Sequence, residues 1–242
     1  CWLHENRNLK FTDYDALWQW SVEDIDGFWS SVWDYFEIKG HHQYKRVLNE
    51  RTIQGAKWFE GARLNYAEQA LDRRDHHPAL IARSETRRPS TMSYRELADA
   101  VARVATGFRK LGVRKGDRVA ALMPNIPEAV IGFLASATIG AVWSSCAPEF
   151  GVRSVIDRFQ QIKPKILLTV DGYVYGGRQF DLTETSSKLR RHISDLEATV
   201  LIPCLNGVIE VSDDVILWDD LLDGSDSQLH FESVDFEHPL WV

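Results

Sequence analysis

Tyr175-Gly176-Gly177-Arg178 is the segment of this 242-residue chain whose residue types could do chemistry at close quarters. Two glycines let a ligand approach the backbone. An Arg beside them could grip a phosphate through two parallel N–H donors. The segment closely follows Ile166–Val170, an unbroken apolar run that reads as a buried strand. In parallel α/β sheets, ligands sit outside the carboxyl ends of strands. The competing reading is an exposed turn with a solvated Arg, and the residues alone leave both open. A second loop, Ala147-Pro148-Glu149-Phe150-Gly151, also leaves the carboxyl end of an apolar strand. It either lines the same cleft or simply turns into a helix, with Phe150 packed as a hydrophobic staple.

Other chemistries lack their residues. Gly107 and Gly112 have the spacing of a Walker phosphate loop, but Val113 and Arg114 stand where Lys and Ser/Thr are required. No G-x-G-x-x-G follows a strand, and no G-x-S-x-G nucleophile elbow occurs. His41-His42 and His76-His77 are adjacent pairs without H-E-x-x-H spacing, so they read as solvated loop histidines. Asp213-Asp214 and Asp219-Asp220 read as solvated surface. Cys1, Cys146 and Cys204 are odd in number and widely spaced, which supports neither a disulfide framework nor a zinc site. A reducing, cytoplasmic setting is expected from that usage. No metal ligand and no catalytic residue is assigned.

Composition narrows the class further. With 44% hydrophobic and 26% charged residues, the chain has enough apolar surface to fold. Its net charge of −7 comes without a stripe of Lys and Arg between aromatics, which disfavours nucleic acid as a partner. The most apolar stretch, Val130–Val142, is interrupted by Ser136 and Thr138. It is too short for a membrane span of about 20 residues. Nothing at Cys1–Lys10 resembles a signal peptide.

The elements that must position the two loops follow from periodicity. Arg118–Met123 is a strand stopped by Pro124. Pro127 suits the first turn of a helix over Glu128–Ile139, with Gly140 at its end. Ala141–Cys146 is a strand, Val152–Ile162 a helix and Lys165–Val170 a strand. That alternation predicts a parallel sheet with helices on its faces. Ahead of it, Pro78–Arg83 and Thr91–Met92 are short strands joined by a polar loop, Ser84–Ser90. Ser93 and Glu96 form a capping box for a helix carrying Leu97, Val101, Val104, Phe108 and Leu111 on one face. Gly112 is its expected C′ residue. At the start of the chain, Val22, Ile25, Trp29, Val32, Trp33 and Phe36 recur at helical spacing, with Ser21 as N-cap and Asp24 at N3. The bland reading is an amphipathic helix packed on a domain, and the other is an aromatic ligand platform. Asn65 is a candidate N-cap before Tyr66–Leu71. Beyond Asp171 the pattern loosens. Leu182–Ser194 reads as helix, Ala198–Ile202 as strand, Val215–Leu222 as strand into a helical turn, and Leu240–Val242 as the start of a strand. Gly207–Phe236 is acidic and loop-rich.

Taken together, "WFEGARLNYAE" (Trp58–Glu68), "GDRVAALMPNIPEAVIGFLASATIGAVWSSCAPEFG" (Gly116–Gly151) and "DRFQQIKPK" (Asp157–Lys165) resemble acyl-coenzyme A synthetases of the adenylate-forming superfamily. The tryptophan-rich start, "WSSCAPEFGVRSVIDRF" and "VDGYVYGG" narrow the resemblance to the acetoacetyl-coenzyme A synthetase group. It extends over nearly the whole chain. The resemblance implies an α/β fold, the parallel-sheet αβα layers of the synthetase amino-terminal domain. That domain is expected to be incomplete and preceded by an aromatic-rich helical extension. Residues 1–77 would be the extension and residues 78–242 the first part of the AMP-binding domain.

The family activates a carboxylate with ATP and Mg²⁺ to an acyl-adenylate, then transfers the acyl group to coenzyme A. Acetoacetate or another short-chain acid would be the substrate here. In that family "HPLWV" (His238–Val242) leads into a Ser/Thr/Gly-rich phosphate loop. The ATP and carboxylate sites and a mobile carboxyl-terminal domain are therefore expected beyond Val242. This chain alone is expected to be inactive and to need the remainder of its own polypeptide. Self-association through an uncovered apolar surface is also expected. In related acetyl-coenzyme A synthetases an Arg-containing turn touches the nucleotide end of coenzyme A. Arg178 matches one such Arg, and Tyr175 stands where a second is found. Pro148–Gly151 matches a Gly-rich loop lining the same site, with Pro148 and Glu149 replacing its glycines. The implied coenzyme A contacts are thus Arg178, Gly177, Gly176, Tyr175, Phe150 and Gly151. The alternatives are an acetyl- or propionyl-coenzyme A synthetase fragment, and a non-catalytic module that binds coenzyme A or a protein.

Overall fold

The structure, a computed structural model, describes residues 1–85, 87–205, 215–222 and 228–242. Two units divide the chain: Cys1–Asn65 with Ser233–His238, and Tyr66–Glu232 with Pro239–Val242.

The first unit begins with helices α1 (Trp2–Arg7), α2 (Tyr14–Glu23) and α3 (Ile25–Tyr35). The single helix capped by Ser21 that the periodicity predicts is in fact two helices parted at Asp24. Asp13 caps α2 by accepting the Ala16 N–H. The Asp24 carboxylate accepts the Gly27 N–H at 3.0 Å, while its own N–H closes α2 on the Trp20 carbonyl at 2.9 Å. A carboxylate that satisfies a free N–H of the next helix wins over continuation. Gly27 leaves room for it, since a Cβ there would lie 2.1 Å from Asp24 Oδ2. Ser21 sits inside α2 and donates to the Trp18 carbonyl at 2.7 Å.

Short strands follow: β1 (Gly40–His42), β2 (Arg46–Leu48), β3 (Trp58–Glu60) and β4 (Arg63–Leu64). β2 pairs with β3, and β4 lies between β1 and the distant strand Val234–Asp235. Val47, Phe59 and Ala62 form the core, covered by Trp33, Tyr44 and Trp58. Trp33 lies 4.7 Å from the Phe59 ring and meets Tyr44 edge-on at 5.2 Å. Trp33 therefore packs on this small core, whereas Val22, Trp29 and Phe36 of the same stripe are exposed, so the stripe is only partly covered.

In the second unit, α4 (Tyr66–Ala70) precedes a ribbon of β5 (Pro78–Ala82) and β6 (Ser90–Ser93). The capping box is present: Ser93 accepts the Glu96 N–H and Glu96 accepts the Ser93 N–H. It starts α5 (Tyr94–Lys110). Then come β7 (Arg118–Leu122), α6 (Pro127–Ile139), β8 (Val142–Cys146), α7 (Val152–Ile162) and β9 (Ile166–Val170). A hairpin of β10 (Gly172–Tyr175) and β11 (Arg178–Asp181) intervenes before α8 (Thr183–His192), β12 (Ala198–Ile202), β13 (Val215–Leu217) and α9 (Trp218–Leu222). Residues 206–214, with the acidic pair Asp213-Asp214, and residues 223–227 lie outside the described part.

Five strands form one parallel sheet in the order β13-β12-β9-β7-β8. The chain steps from β7 out to β8, returns past β7 to β9 and continues outward. That reversal creates a crevice at the carboxyl ends of β7 and β9. Side chains alternate between the two faces at period 2. Val119, Ala121, Ile166, Leu168 and Val170 join the core that includes α5 and α6 residues such as Phe108 and Leu134. Ala120, Leu122 and Leu167 join Val155, Phe159, Leu189 and Ile193 from the α7 and α8 side. The result is the expected αβα layering. At the free edge of β8, Trp143 donates to the Leu240 carbonyl at 3.1 Å and Val242 donates to the Trp143 carbonyl at 3.0 Å. Leu240–Val242 thus contributes one parallel bridge to the sheet. Among the described residues, no helix is long and apolar enough to cross a membrane.

Phe159 is wholly buried on the less populated face of the sheet. We expect Phe159→Ala to lose about 3–5 kcal/mol of stability, read from urea unfolding. A loss below about 1 kcal/mol would show that this face is not a packed core.

Candidate ligand site at the carboxyl edge of the sheet

β8 and β9 flank β7. Their outgoing loops therefore leave the same sheet edge about 10 Å apart by strand spacing. After β9 the chain places Asp171, then the β10–β11 hairpin. Asp171 is buried and accepts the Cys204 N–H at 2.6 Å and the Leu205 N–H at 3.1 Å. One carboxylate thus ties the exit of β12 to the exit of β9.

Tyr175-Gly176-Gly177-Arg178 is the tip of the hairpin. The register pairs Tyr175 with Arg178, so Gly176 and Gly177 alone make the turn. Both have positive φ, 58° and 73°, the backbone of a two-residue type I′ turn. Tyr175 and Arg178 are exposed. The Arg178 guanidinium makes no ion pair or side-chain hydrogen bond among the described residues. The local geometry is therefore a turn, and the two glycines serve it. Their N–H groups do not go unused: Gly176 donates to Glu85 Oε1 at 3.0 Å and Gly177 to Glu85 Oε2 at 2.8 Å.

At the β8–α7 loop, Gly151 is the N-cap of α7 and offers it no side-chain bond. A Cβ placed on Gly151 would meet nothing within 4 Å, so this helix start is open. Phe150 is not a staple. It is 44% exposed, with the Arg158 guanidinium 5.1 Å from its ring centre. Burial pushes the Tyr173 phenol up, and the charge of Glu149 adds to that push. The two loops therefore share an electrostatic neighbourhood. Nearby, a cavity of about 300 Å³ opens at the carboxyl ends of β7 and β8, with Met123, Phe133, Trp143, Cys146 and Trp241 in its wall.

The β5–β6 loop, read from sequence only as polar, reaches the same edge. Arg87 bonds Glu128 Oε1 at 2.7 Å, the Pro203 carbonyl at 2.7 Å and Cys204 Sγ at 3.4 Å. The other Glu128 oxygen is buried and has no partner among the described residues. Burial pushes the Cys204 thiol up to about 11, against the opposing Arg87 charge. Glu85, Arg87, Glu128 and Asp171 were not singled out by sequence reasoning. An acid placed directly after an all-apolar strand was the available signal for Asp171; the others carry none. Among the described residues no cluster of His, Cys, Asp and Glu could hold a metal.

Two outcomes follow. Arg87→Ala strands a largely buried Glu128 carboxylate and should cost about 2 kcal/mol or more, measured by urea unfolding; an unchanged midpoint would contradict that. Because the Cys204 pKa is raised on folding, its contribution is complete below the ordinary thiol pKa near 9 and is lost as pH rises towards 11. We expect Cys204→Ala to flatten the fall of stability between about pH 9 and 11; an unaltered slope would argue against it.

The model of the AMP-binding enzyme family matches residues 67–231, and that of the acetyl-coenzyme A synthetase N-terminus matches residues 14–70. The acetoacetyl-coenzyme A synthetase of Rhizobium meliloti (strain 1021) is 37% identical over 246 residues, covering 100% of this chain and 37% of the relative. The acetoacetyl-CoA synthetase of Gallus gallus is likewise 37% identical, over 97% of this chain and 37% of its own length. The solved structure of acetoacetyl-CoA synthetase from Streptomyces lividans superposes with a TM-score of 0.93 at 46% identity, over 99% of this chain and 37% of that one. This chain therefore spans about 37% of the length of the relatives it matches. The resemblance read from the motifs and the αβα layering agree with these likenesses, and the chain belongs to the AMP-binding enzyme family.

Proposed function

We propose that this chain is the amino-terminal part of an acid–thiol ligase that activates acetoacetate with ATP and passes the acyl group to coenzyme A. The observation that carries the reading is the likeness to acetoacetyl-CoA synthetases over the whole chain, in sequence and in fold. The aromatic-rich first unit acts as an accessory extension, in keeping with the match at residues 14–70. The second unit supplies scaffold and part of the coenzyme A site. ATP and Mg²⁺ serve the first half-reaction, where the physical demands are charge neutralisation at the phosphates and in-line positioning. The chemistry they supply is carboxylate activation. No residue of this chain is assigned to hold them, and no catalytic residue is assigned.

For coenzyme A the candidates are Arg178, Gly177, Gly176, Tyr175, Phe150 and Gly151. The two loops that carry them leave the carboxyl edge of one sheet, where the topology favours ligands. Arg178 is exposed with an unengaged guanidinium, which suits it to a phosphate of the nucleotide end. Tyr175 stands beside it in register and offers a ring and a hydroxyl in place of a second cation.

The test is exchange of pyrophosphate into ATP. The 242 residues by themselves should give none, and a protein of the relatives' full length carrying them should give exchange that depends on acetoacetate. In that longer protein, Arg178→Ala should raise the KM for coenzyme A about tenfold and leave the exchange rate unchanged. Exchange with acetate or propionate but not acetoacetate would overturn the substrate assignment, and an unchanged KM would remove Arg178 from the site.

A further inference from the structure

We propose that Glu85 is a built-in competitor at the hairpin tip: its carboxylate occupies an anion site formed by the Gly176 and Gly177 N–H groups, and a phosphate monoester binds there by displacing it. The source of that phosphate, the nucleotide end of coenzyme A, rests on the function proposed above; the displacement does not.

The first support is geometric. In a two-residue turn with both φ positive, the two N–H groups at the tip stay outside the strand ladder. Here they converge on a single carboxylate, one oxygen each, at 3.0 and 2.8 Å. Successive backbone N–H groups converging in this way form an anion-binding concavity. A Cβ built on either glycine would meet nothing within 4 Å, so apart from Glu85 on the N–H groups the turn is uncrowded at both α-carbons.

The second support is how Glu85 arrives. It lies 91 residues before Gly176. It comes from a loop that Arg87 fastens to Glu128, to the Pro203 carbonyl and to Cys204 Sγ. That anchor holds the Glu85 backbone near the hairpin while Glu85 itself stays exposed. The side chain can therefore leave the tip by rotation alone, without disturbing the core.

The third support is charge. Arg178 follows the two glycines directly, and its guanidinium is engaged by no side chain or carbonyl among the described residues. A dianionic phosphate could take the two N–H groups and this cation together, whereas the Glu85 carboxylate brings one charge to the N–H pair alone. The preference for phosphate over the resident carboxylate follows from that difference. While Glu85 is seated, the apparent affinity for any such ligand is reduced by the fraction of molecules in which the tip is free.

The experiment is amide NMR on the 15N-labelled 242-residue chain and its Glu85→Ala and Glu85→Gln variants. Each is titrated with inorganic phosphate and, separately, with adenosine 3′,5′-bisphosphate at constant ionic strength. We expect the Gly176 and Gly177 signals to move with the bisphosphate, with a Kd about fivefold lower in Glu85→Ala than in wild type. Glu85→Gln, which keeps one acceptor but no charge, should fall between. Adding Arg178→Ala to Glu85→Ala should weaken binding again. Equal gains for phosphate and bisphosphate would uphold the displacement and count against coenzyme A as the source. Bisphosphate binding at the tip that is no tighter in either Glu85 variant would overturn the displacement and leave the coenzyme A reading standing. Signals at Gly176 and Gly177 that respond to neither ligand in any variant would overturn the displacement outright.

Discussion

A parallel sheet must be covered on both faces, because its crossovers put helices there and its strands are apolar throughout. In this chain the constraint is met in full at β9, where every residue from Ile166 to Val170 is buried. Val119 and Ala121 face one helical layer, while Ala120 and Leu122 face the other. With both faces sealed, polar groups can reach solvent mainly at the strand ends. The reversal of strand order at β7 concentrates the outgoing loops of β7, β8 and β9 at one edge. The coenzyme A contacts proposed above depend on that edge being the place where backbone and side-chain donors come within reach of a ligand.

Contacts between distant segments then decide what the edge presents. Asp171 joins the ends of β9 and β12, and Arg87 joins the β5–β6 loop to Glu128, Pro203 and Cys204. These groups are partly or wholly buried, so their partners matter: a carboxylate left without its cation in such surroundings is costly. Glu85, by contrast, is exposed, and its bond to the hairpin tip is worth little to stability. A contact that is geometrically specific yet energetically slight is suited to exchange for a ligand. The same loop thus combines a firm attachment at Arg87 with a releasable one at Glu85.

Elsewhere the chain shows how local competition shapes an element. The apolar stripe from Val22 to Phe36 has helical spacing, yet Asp24 parts the two helices, because its backbone N–H closes α2 while its carboxylate opens α3. The aromatic side chains then pack on each other, with Trp33 against both Tyr44 and Phe59. The unit needs few aliphatic residues for its small core as a result.

The central layers were legible from sequence because each signal is local. The Ser93–Glu96 box, Pro127 at the start of α6, Gly140 in the left-handed region at its end and the apolar runs of β7, β8 and β9 each act within a few residues. The hairpin at Gly172–Asp181 was half legible: Gly-Gly between two short runs is a turn signal, but β11 is exposed at every residue and leaves no buried face for periodicity to report. The roles of Glu85 and Arg87 were not legible at all. Their partners lie 91 and up to 117 residues away, and a polar loop residue looks the same in sequence whether it meets water or a distant carbonyl. Local patterns determined which segments became strands and helices; only the folded arrangement decided which loops share an edge, since contact across such separations is a property of topology and not of neighbouring residues.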